Sequence, residues 1–398
     1  MDRNMELYLH IPFCVKKCGY CDFLSFPADA GVQRRYVEAL FREMEQWKEP
    51  CRGYEVSTVF VGGGTPSLLE AEWMAEIFDG IRQNFCLAGE AEITIEANPG
   101  TLTRKKLDIY KHAGINRLSL GLQSSDNREL AVLGRIHTWE QFLESYRLAR
   151  ESGFQNINVD LMSALPGQSM ASWLCTLRRV TELEPEHISA YSLILEEGTP
   201  FYERYGHQEE KGNRVPDGLS LADGNEALSG ISLPDEDTER EMYHRTEEFL
   251  KGCGYERYEI SNYAKKGREC RHNTGYWTGV PYLGLGLGAA SLWEGRRFSN
   301  VRELSGYLNG RTTDRDSLQI LTEQDRQEEF FYLGLRMVRG VPLAQFEEQF
   351  RRQAEEIYSG VIQKHIRDGT VIVEDGCLRL TSLGMDVSNY VMADFLQG

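Results

Sequence analysis

The stretch Leu7-Tyr8-Leu9-His10-Ile11-Pro12-Phe13-Cys14-Val15-Lys16-Lys17-Cys18-Gly19-Tyr20-Cys21 decides how the rest of the chain is read. Leu7 to Ile11 is a short apolar, β-prone run and reads as a strand. Three cysteines follow directly. Thiols at this spacing let one loop wrap a single inorganic centre. Zinc in a structural site needs four protein ligands, and His10 is an available fourth. A 4Fe-4S cluster usually takes four cysteines, so three leave one iron with an open position. The spacing alone leaves both readings open. Cys51, Cys86, Cys175, Cys253, Cys270 and Cys377 are scattered. Nine cysteines in 398 residues are therefore no disulfide scaffold.

Outward from this stretch, strands and helices alternate. Ser57 to Val61, Ala91 to Ala97, Arg117 to Leu122, Asn156 to Met162 and His187 to Leu195 read as further strands. Helical patterns fill about 32–48, 70–84, 103–112, 126–151 in two pieces, and 171–182. Strands separated by helices imply parallel pairing through right-handed crossovers. Six units are too few for a closed eight-unit barrel. The expected fold class is α/β, an open partial (β/α)6 barrel, with a doubly wound sheet as the alternative.

Polar and glycine-rich signals sit just past these strands: the cysteines, Gly62-Gly63-Gly64-Thr65-Pro66, Glu96-Ala97-Asn98-Pro99, Gln123-Ser124-Ser125, and Asp160. In parallel α/β folds the carboxyl ends of the strands form the active face. The glycine run lacks the lysine of a nucleoside triphosphate loop, which speaks against that chemistry.

Net charge is −17, from 44 basic and 61 acidic residues, and phosphate binding needs a basic surface. A large nucleic-acid footprint is excluded on that ground. No apolar run is long enough to span a bilayer, and the chain enters its first strand without the apolar region of a signal peptide. The expectation is a soluble cytoplasmic protein. Residues 203–241 read as an inserted loop, with five glycines and 11 acidic against 4 basic residues. Helical pattern resumes near Asp237 to Gly252. Towards the end, Thr322-Glu323-Gln324-Asp325 is a capping box for a helix to Arg339, and Gly340 and Pro342 stop it. A helix over 351–367, a hairpin around Asp375-Gly376 and a last helix over 382–396 complete a winged-helix-like pattern. Because 320–398 carries 8 basic and 13 acidic residues, this part reads as a packing or partner module rather than a DNA reader. The expected organisation is a barrel over 1–236, a barrel-completing and connecting region over 237–315, and an α+β C-terminal domain over 316–398.

The cysteine motif, with an aromatic before its last cysteine and the first strand before it, resembles the radical S-adenosylmethionine (SAM) superfamily. Tyr8 to Cys14, Gly62 to Pro66, Glu96 to Pro99, Gly121-Leu122-Gln123-Ser124 and Leu133-Gly134-Arg135 together look like its HemN/HemW branch. That branch holds oxygen-independent coproporphyrinogen III oxidases and heme chaperones, and the resemblance runs over nearly the whole chain. It implies that Cys14, Cys18 and Cys21 ligate a 4Fe-4S cluster whose open iron binds the amino and carboxylate groups of SAM. An electron from the cluster then cleaves the sulfonium to a 5′-deoxyadenosyl radical. It further implies SAM contacts from Tyr8, Tyr20, Gly63, Gly64, Thr65, Glu96, Gln123, Arg135 and Asp160.

Two features separate the branches. Oxidase-type members carry a further cysteine two residues past the third, where Phe23 stands here, and a longer stretch before the first strand. Cys270-Arg271-His272-Asn273-Thr274-Gly275-Tyr276-Trp277 matches the His-Asn-x-x-Tyr-Trp motif of the chaperone type, implicated in heme binding. Imidazole is a common axial ligand of heme iron, and Tyr276 and Trp277 offer flat apolar surface to a porphyrin. The resemblance therefore implies heme contacts from His272, Asn273, Tyr276 and Trp277, with His272 on the iron and Cys270 as an alternative ligand. Family members often carry histidine at Ala290, and some carry cysteine at Leu287, so a second protein axial ligand is not expected here. The expected function is a heme chaperone that passes heme to an acceptor hemoprotein. The alternative is oxygen-independent coproporphyrinogen III oxidase. The expected partners are heme, the acceptor, and a reductant such as flavodoxin or ferredoxin; a membrane-associated acceptor and a homodimer stay open.

Overall fold

The structure is a computed structural model that describes residues 3–206 and 230–396. Most of the expected insert, 207–229, and with it His207, lies outside the described residues. The first half alternates β1 (Arg3–Ile11), α1 (Ala30–Lys48), β2 (Tyr54–Gly63), α2 (Ala71–Asn84), β3 (Cys86–Ala97), α3 (Arg104–His112), β4 (Arg117–Gln123), α4 (Asn127–Val132), α5 (Trp139–Glu151), β5 (Ile157–Ser163), α6 (Met170–Thr181) and β6 (His187–Ser192). Side chains start the helices: Asp29 caps α1, Thr103 caps α3, Thr138 and Gln141 form a capping box on α5, and Ser169 caps α6. The expected helix over 126–151 is two because Gly134 takes φ +76° after Leu133 and ends the first.

A second run follows: α7 (Pro200–Tyr205), α8 (Glu236–Gly252), β7 (Glu256–Glu259), β8 (Asn262–Ala264), α9 (Arg271–Trp277), β9 (Tyr282–Leu285), β10 (Ala290–Trp293), β11 (Arg296–Asn300), α10 (Leu304–Leu308) and β12 (Thr313–Ile320). β1 to β6 pair in parallel in chain order. β9 adds in parallel beside β1, and β10, β11 and β12 extend that side antiparallel. β8 and β7 extend the other side, beside β6. The result is one mixed twelve-stranded sheet around an open partial barrel. The sequence shows the first six strands, β1 to β6, but not the other six, which include the parallel β9. Those six are short, polar or both: β8 has three residues, and β12 reads Thr-Asp-Arg-Asp-Ser-Leu-Gln-Ile.

Apart from register shifts beside Met5/Glu6, Val56/Thr58 and Gly121/Gln123, the parallel strands alternate as period-2 geometry requires. Leu7, Leu9, Val59, Val61, Ile93, Ile95, Leu118, Leu120, Val159 and Ile188 are buried against the helices. The opposite face carries Glu6, Tyr8 and His10 of β1, then Thr58 and Phe60, Glu92 and Glu96, Arg117 and Ser119, Asn158 and Asp160, and His187 and Tyr191. This polar column fills the barrel and carries the chemistry.

The C-terminal part has its own core and a three-stranded sheet. It comprises α11 (Glu323–Gly334), β13 (Val341–Pro342), α12 (Leu343–Phe350), α13 (Ala354–Arg367), β14 (Val371–Glu374), β15 (Cys377–Leu380), α14 (Ser382–Asp386) and α15 (Ser388–Ala393). The Thr322/Asp325 capping box is present, but α11 stops at Gly334 rather than Arg339. Gly334 packs so tightly that a Cβ would lie 2.2 Å from Val341. The helix expected over 351–367 begins at Ala354, because Arg351 takes φ +56° and separates it from α12, which sequence reading missed. The last helix breaks at Val387. Among the described residues no helix is long and apolar enough to cross a membrane.

Candidate functional site

Cys14, Cys18 and Cys21 lie on the loop that leaves β1, all free and half-buried. The loop is pinned at its base, where Cys14 N–H donates to Phe26 O (3.1 Å) and Phe26 N–H to Pro12 O (2.9 Å). Its tip is pinned as well. Gly19 N–H donates to Leu133 O (3.3 Å) at the end of α4, and Phe201 N–H of α7 donates to Gly19 O (3.0 Å). A Cβ on Gly19 would lie 2.7 Å from the Phe201 ring, so this approach needs glycine. Tyr20 meets Phe201 edge-on at 6.3 Å between centroids. Burial raises the Tyr20 phenol above its usual range.

Zinc with His10 as fourth ligand is excluded by the local bonding. His10 Nε2–H donates to Leu24 O (2.8 Å), and its Nδ1 accepts from Tyr8 OH (3.0 Å). Among the described residues no three His, Cys, Asp or Glu side chains are drawn together around a single metal ion.

The glycine run lies directly over the cysteine loop. Gly64 N–H donates to Ile11 O (2.9 Å), and Thr65 N–H to Phe13 O (2.8 Å). Gly63 takes φ +113°, and a Cβ there would meet the His10 ring at 2.6 Å. A Cβ on Gly64 would lie 2.7 Å from the Phe13 carbonyl oxygen. Thr65 Oγ1 sits 3.4 Å from Cys14 Sγ and accepts from Asn98 Nδ2 (2.7 Å). Arg135, buried behind the loop, donates through Nη2 to Asn98 Oδ1 (2.7 Å) and Gly121 O (2.6 Å). Its Nη1 reaches Cys18 Sγ at 3.9 Å, and its Nε has no partner among the described residues.

Three thiols outside any disulfide, one facing a guanidinium, beside a cradle that admits only glycine, fit a thiolate-ligated cluster with a small zwitterion bound next to it. Gly64→Ala is accordingly expected to displace backbone rather than a flexible side chain. The cost is about 1–3 kcal/mol of stability, with reduced cluster occupancy. Thermal denaturation and iron content measure both.

Behind the cradle, Glu96 Oε2 accepts from Gly63 N–H (3.1 Å). Burial, then the neighbouring Asp160 carboxylate, raises its carboxyl to about 8. Asp160 is also raised by burial, and accepts from Asn158 (2.7 Å) and Ser119 (3.1 Å). Gln123 takes φ +73° at the end of β4 and accepts from Tyr191 OH (3.1 Å). Burial raises the Tyr8 phenol, which points along the same column. All nine residues expected around SAM thus cluster at the carboxyl ends of the strands or line the column just below.

The heme motif is elsewhere. It forms α9, under the amino ends of the strands, and His272 plugs that end of the column. Only 1% of His272 is exposed. Its Nδ1 pairs with Thr58 Oγ1 (2.6 Å) and its Nε2 with Tyr276 OH (3.0 Å), while the ring stacks on Phe60 at 5.2 Å. Burial lowers its pKa to about 3, so it is neutral. An iron ligand needs a free ring nitrogen, and this conformation offers none. Cys270 is fully buried, donates to Glu92 Oε1 (3.6 Å), and is raised by burial to about 12, so it is a thiol rather than a thiolate. Asn273 and Tyr276 are half-buried, and Trp277 lies under the Arg336 guanidinium at 4.2 Å. Leu287 is buried and Ala290 is exposed.

Glu6 sits beside this plug, 3.8 Å from His272 Nδ1. Its Oε2 has no hydrogen-bond partner among the described residues, and burial raises its carboxyl to about 9. Since the folded chain holds a proton that an unfolded Glu releases near pH 4.5, the stability this site contributes falls as pH rises from about 4.5 towards 9. The slope is about 1.4 kcal/mol per pH unit for such a site. Denaturant titrations across this range, repeated on Glu6→Gln, should show the slope flatten in the variant.

Residues 8–180 match the Radical SAM superfamily, and residues 321–387 match the HemN C-terminal domain. The heme chaperone HemW of Escherichia coli K12 is 36% identical over 392 residues, covering 95% of this chain and 97% of that protein. HemW of Bacillus subtilis is 34% identical, covering 98% of each chain, and HemW of Lactococcus lactis 33% identical, covering 100% and 98%. The chain belongs to the HemW family. Coproporphyrinogen III oxidase (HemN) from E. coli superposes with a TM-score of 0.82 over 100% of this chain and 91% of its own, at 24% identity. That likeness shows the shared fold.

For a HemW-family chain, the structure adds residues that the motif reading overlooked. Asn98 joins Thr65 of the cradle to Arg135, and was visible only as part of the motif after β3. His10 and Tyr191 brace Tyr8 and Gln123, and their signal was the polar phase of strands β1 and β6. Phe201 had no signal, because its role depends on a tertiary contact with Gly19.

Proposed function

We propose that this chain is a cytoplasmic heme chaperone that binds heme near α9 and hands it to an acceptor hemoprotein. It carries a SAM-coordinated 4Fe-4S cluster on Cys14, Cys18 and Cys21. Similarity to HemW heme chaperones across both the barrel and the C-terminal part carries this reading. The structure supports it in two ways. Phe23, standing where oxidase-type members have a cysteine, is 65% exposed on the cysteine loop. The heme motif and the cysteines also lie at opposite ends of the barrel, which suits a protein that carries heme without acting on it through SAM.

In this reading Cys14, Cys18 and Cys21 hold the cluster, Gly63 and Gly64 present backbone edges to the methionyl end of SAM, and Arg135 offers positive charge beside Cys18. Glu96, Gln123 and Asp160 line the floor of that site, with Tyr8 and Tyr20 as its aromatic walls. The bound cluster supplies an iron position open to SAM and one-electron reducing power, drawn from a reductant of the flavodoxin or ferredoxin kind. Incubating the reconstituted protein anaerobically with coproporphyrinogen III, SAM and reductant should give no protoporphyrinogen IX. Catalytic formation of that product would overturn the reading in favour of the oxidase.

A further inference from the structure

Two adjoining cavities open at the amino-terminal end of the barrel, away from the cysteines. The first, about 470 Å³, is a slot between the barrel and the C-terminal part, walled by Trp277, Pro281, Leu292, Phe330 and Leu333. The second, about 1170 Å³, lies under the ends of β1 to β5. Thr278, Met337 and Arg339 line both, so the two meet as one cleft. Its dimensions suit a cofactor-sized ligand.

The cleft is less acidic than the rest of the chain. Seven Lys or Arg residues and six Glu line its two cavities, six against four in the second, on a protein of net charge −17. Arg339 stands where the apolar and basic parts join. It is exposed, and its side chain makes no hydrogen bond or ion pair among the described residues. A slot with one apolar wall, its rim polar at Glu294, Arg326 and Glu329, that ends in an uncommitted guanidinium is complementary to a flat ring that carries carboxylates on one edge. No imidazole or thiol lines either cavity.

We propose that the tetrapyrrole lies in this cleft between α9 and α11, its ring in the slot beside Trp277, Phe330 and Leu333 and a propionate carboxylate on Arg339. The inference rests on the heme-binding reading above and relocates its site from the His272 imidazole to the junction with the C-terminal part. Recognition is by ring and carboxylate, so iron-free protoporphyrin IX binds about as well as heme.

The test titrates heme, protoporphyrin IX and its dimethyl ester into the anaerobically reconstituted full chain, beside Arg339→Gln and Leu333→Trp. Arg339→Gln should weaken both free acids roughly tenfold, as loss of one charge-assisted contact would, and leave the ester unaffected. Leu333→Trp should fill the slot and remove saturable binding, with cluster iron unchanged in both variants. Unaltered heme affinity in both variants, or binding of heme without binding of the iron-free ring, would overturn the cleft and leave the chaperone reading standing. Failure of the unaltered protein to bind heme would instead sink the chaperone reading itself.

Discussion

Cys18→Ala is expected to strip the protein of most of its iron while leaving the fold in place. Cys18 sits on a loop held by backbone bonds at Cys14, Gly19 and Phe26, none of which involves its thiol. The side chain is half-buried and small, and among the described residues its hydrogen bond is to the Arg135 guanidinium, at 3.9 Å, so alanine leaves no large cavity. What it removes is one of three thiolates, and a cluster held by two protein ligands exchanges readily with solvent and chelators. Iron and sulfide analysis after anaerobic reconstitution, with circular dichroism as the control, checks both halves. Full cluster content in the variant would contradict the ligand assignment.

His272→Ala should have the largest effect on stability. The ring is buried, stacked on Phe60, and bonded at both nitrogens. Its removal takes the imidazole partner from the buried Thr58 hydroxyl, at about 1–3 kcal/mol, and from the part-buried Tyr276 hydroxyl at less, and adds the cost of a cavity. A loss of about 3–5 kcal/mol follows, visible as a much lower denaturation midpoint. Heme affinity, measured per folded molecule, should change little if the tetrapyrrole occupies the cleft beside Trp277. An imidazole ligand would instead produce a changed Soret position at low temperature, where the variant is still folded. A stability loss below about 1 kcal/mol would show that His272 is not the plug described here.

The parallel half of the fold was legible because each of its strands has a strong apolar phase. Leu7, Leu9, Val59, Val61, Ile93 and Ile95 repeat every second residue and lie next to well-capped helices. The flanking strands were not. β8 and β9 are short, and β12 exposes most of its side chains, so what fixes them as strands is pairing with neighbours distant in sequence. The cysteine and glycine loops were legible from spacing, and the structure puts them in contact through Ile11, Phe13 and Thr65. The heme motif shows the limit of such reading. A histidine beside two aromatics gives the same pattern whether it faces a ligand or fills a core. Only the burial of His272 against Thr58 and Phe60 separates the two. The cleft between α9 and α11 could not have been read at all, since it joins Trp277 to Phe330 and Arg339 across two cores.

The measurement closest to the central claim is a heme titration of the anaerobically reconstituted protein, followed at the Soret band. The account predicts saturable, equimolar binding, followed by transfer of the bound heme to an apo-hemoprotein. Absence of saturable binding would contradict it and leave a radical SAM protein acting on a different substrate.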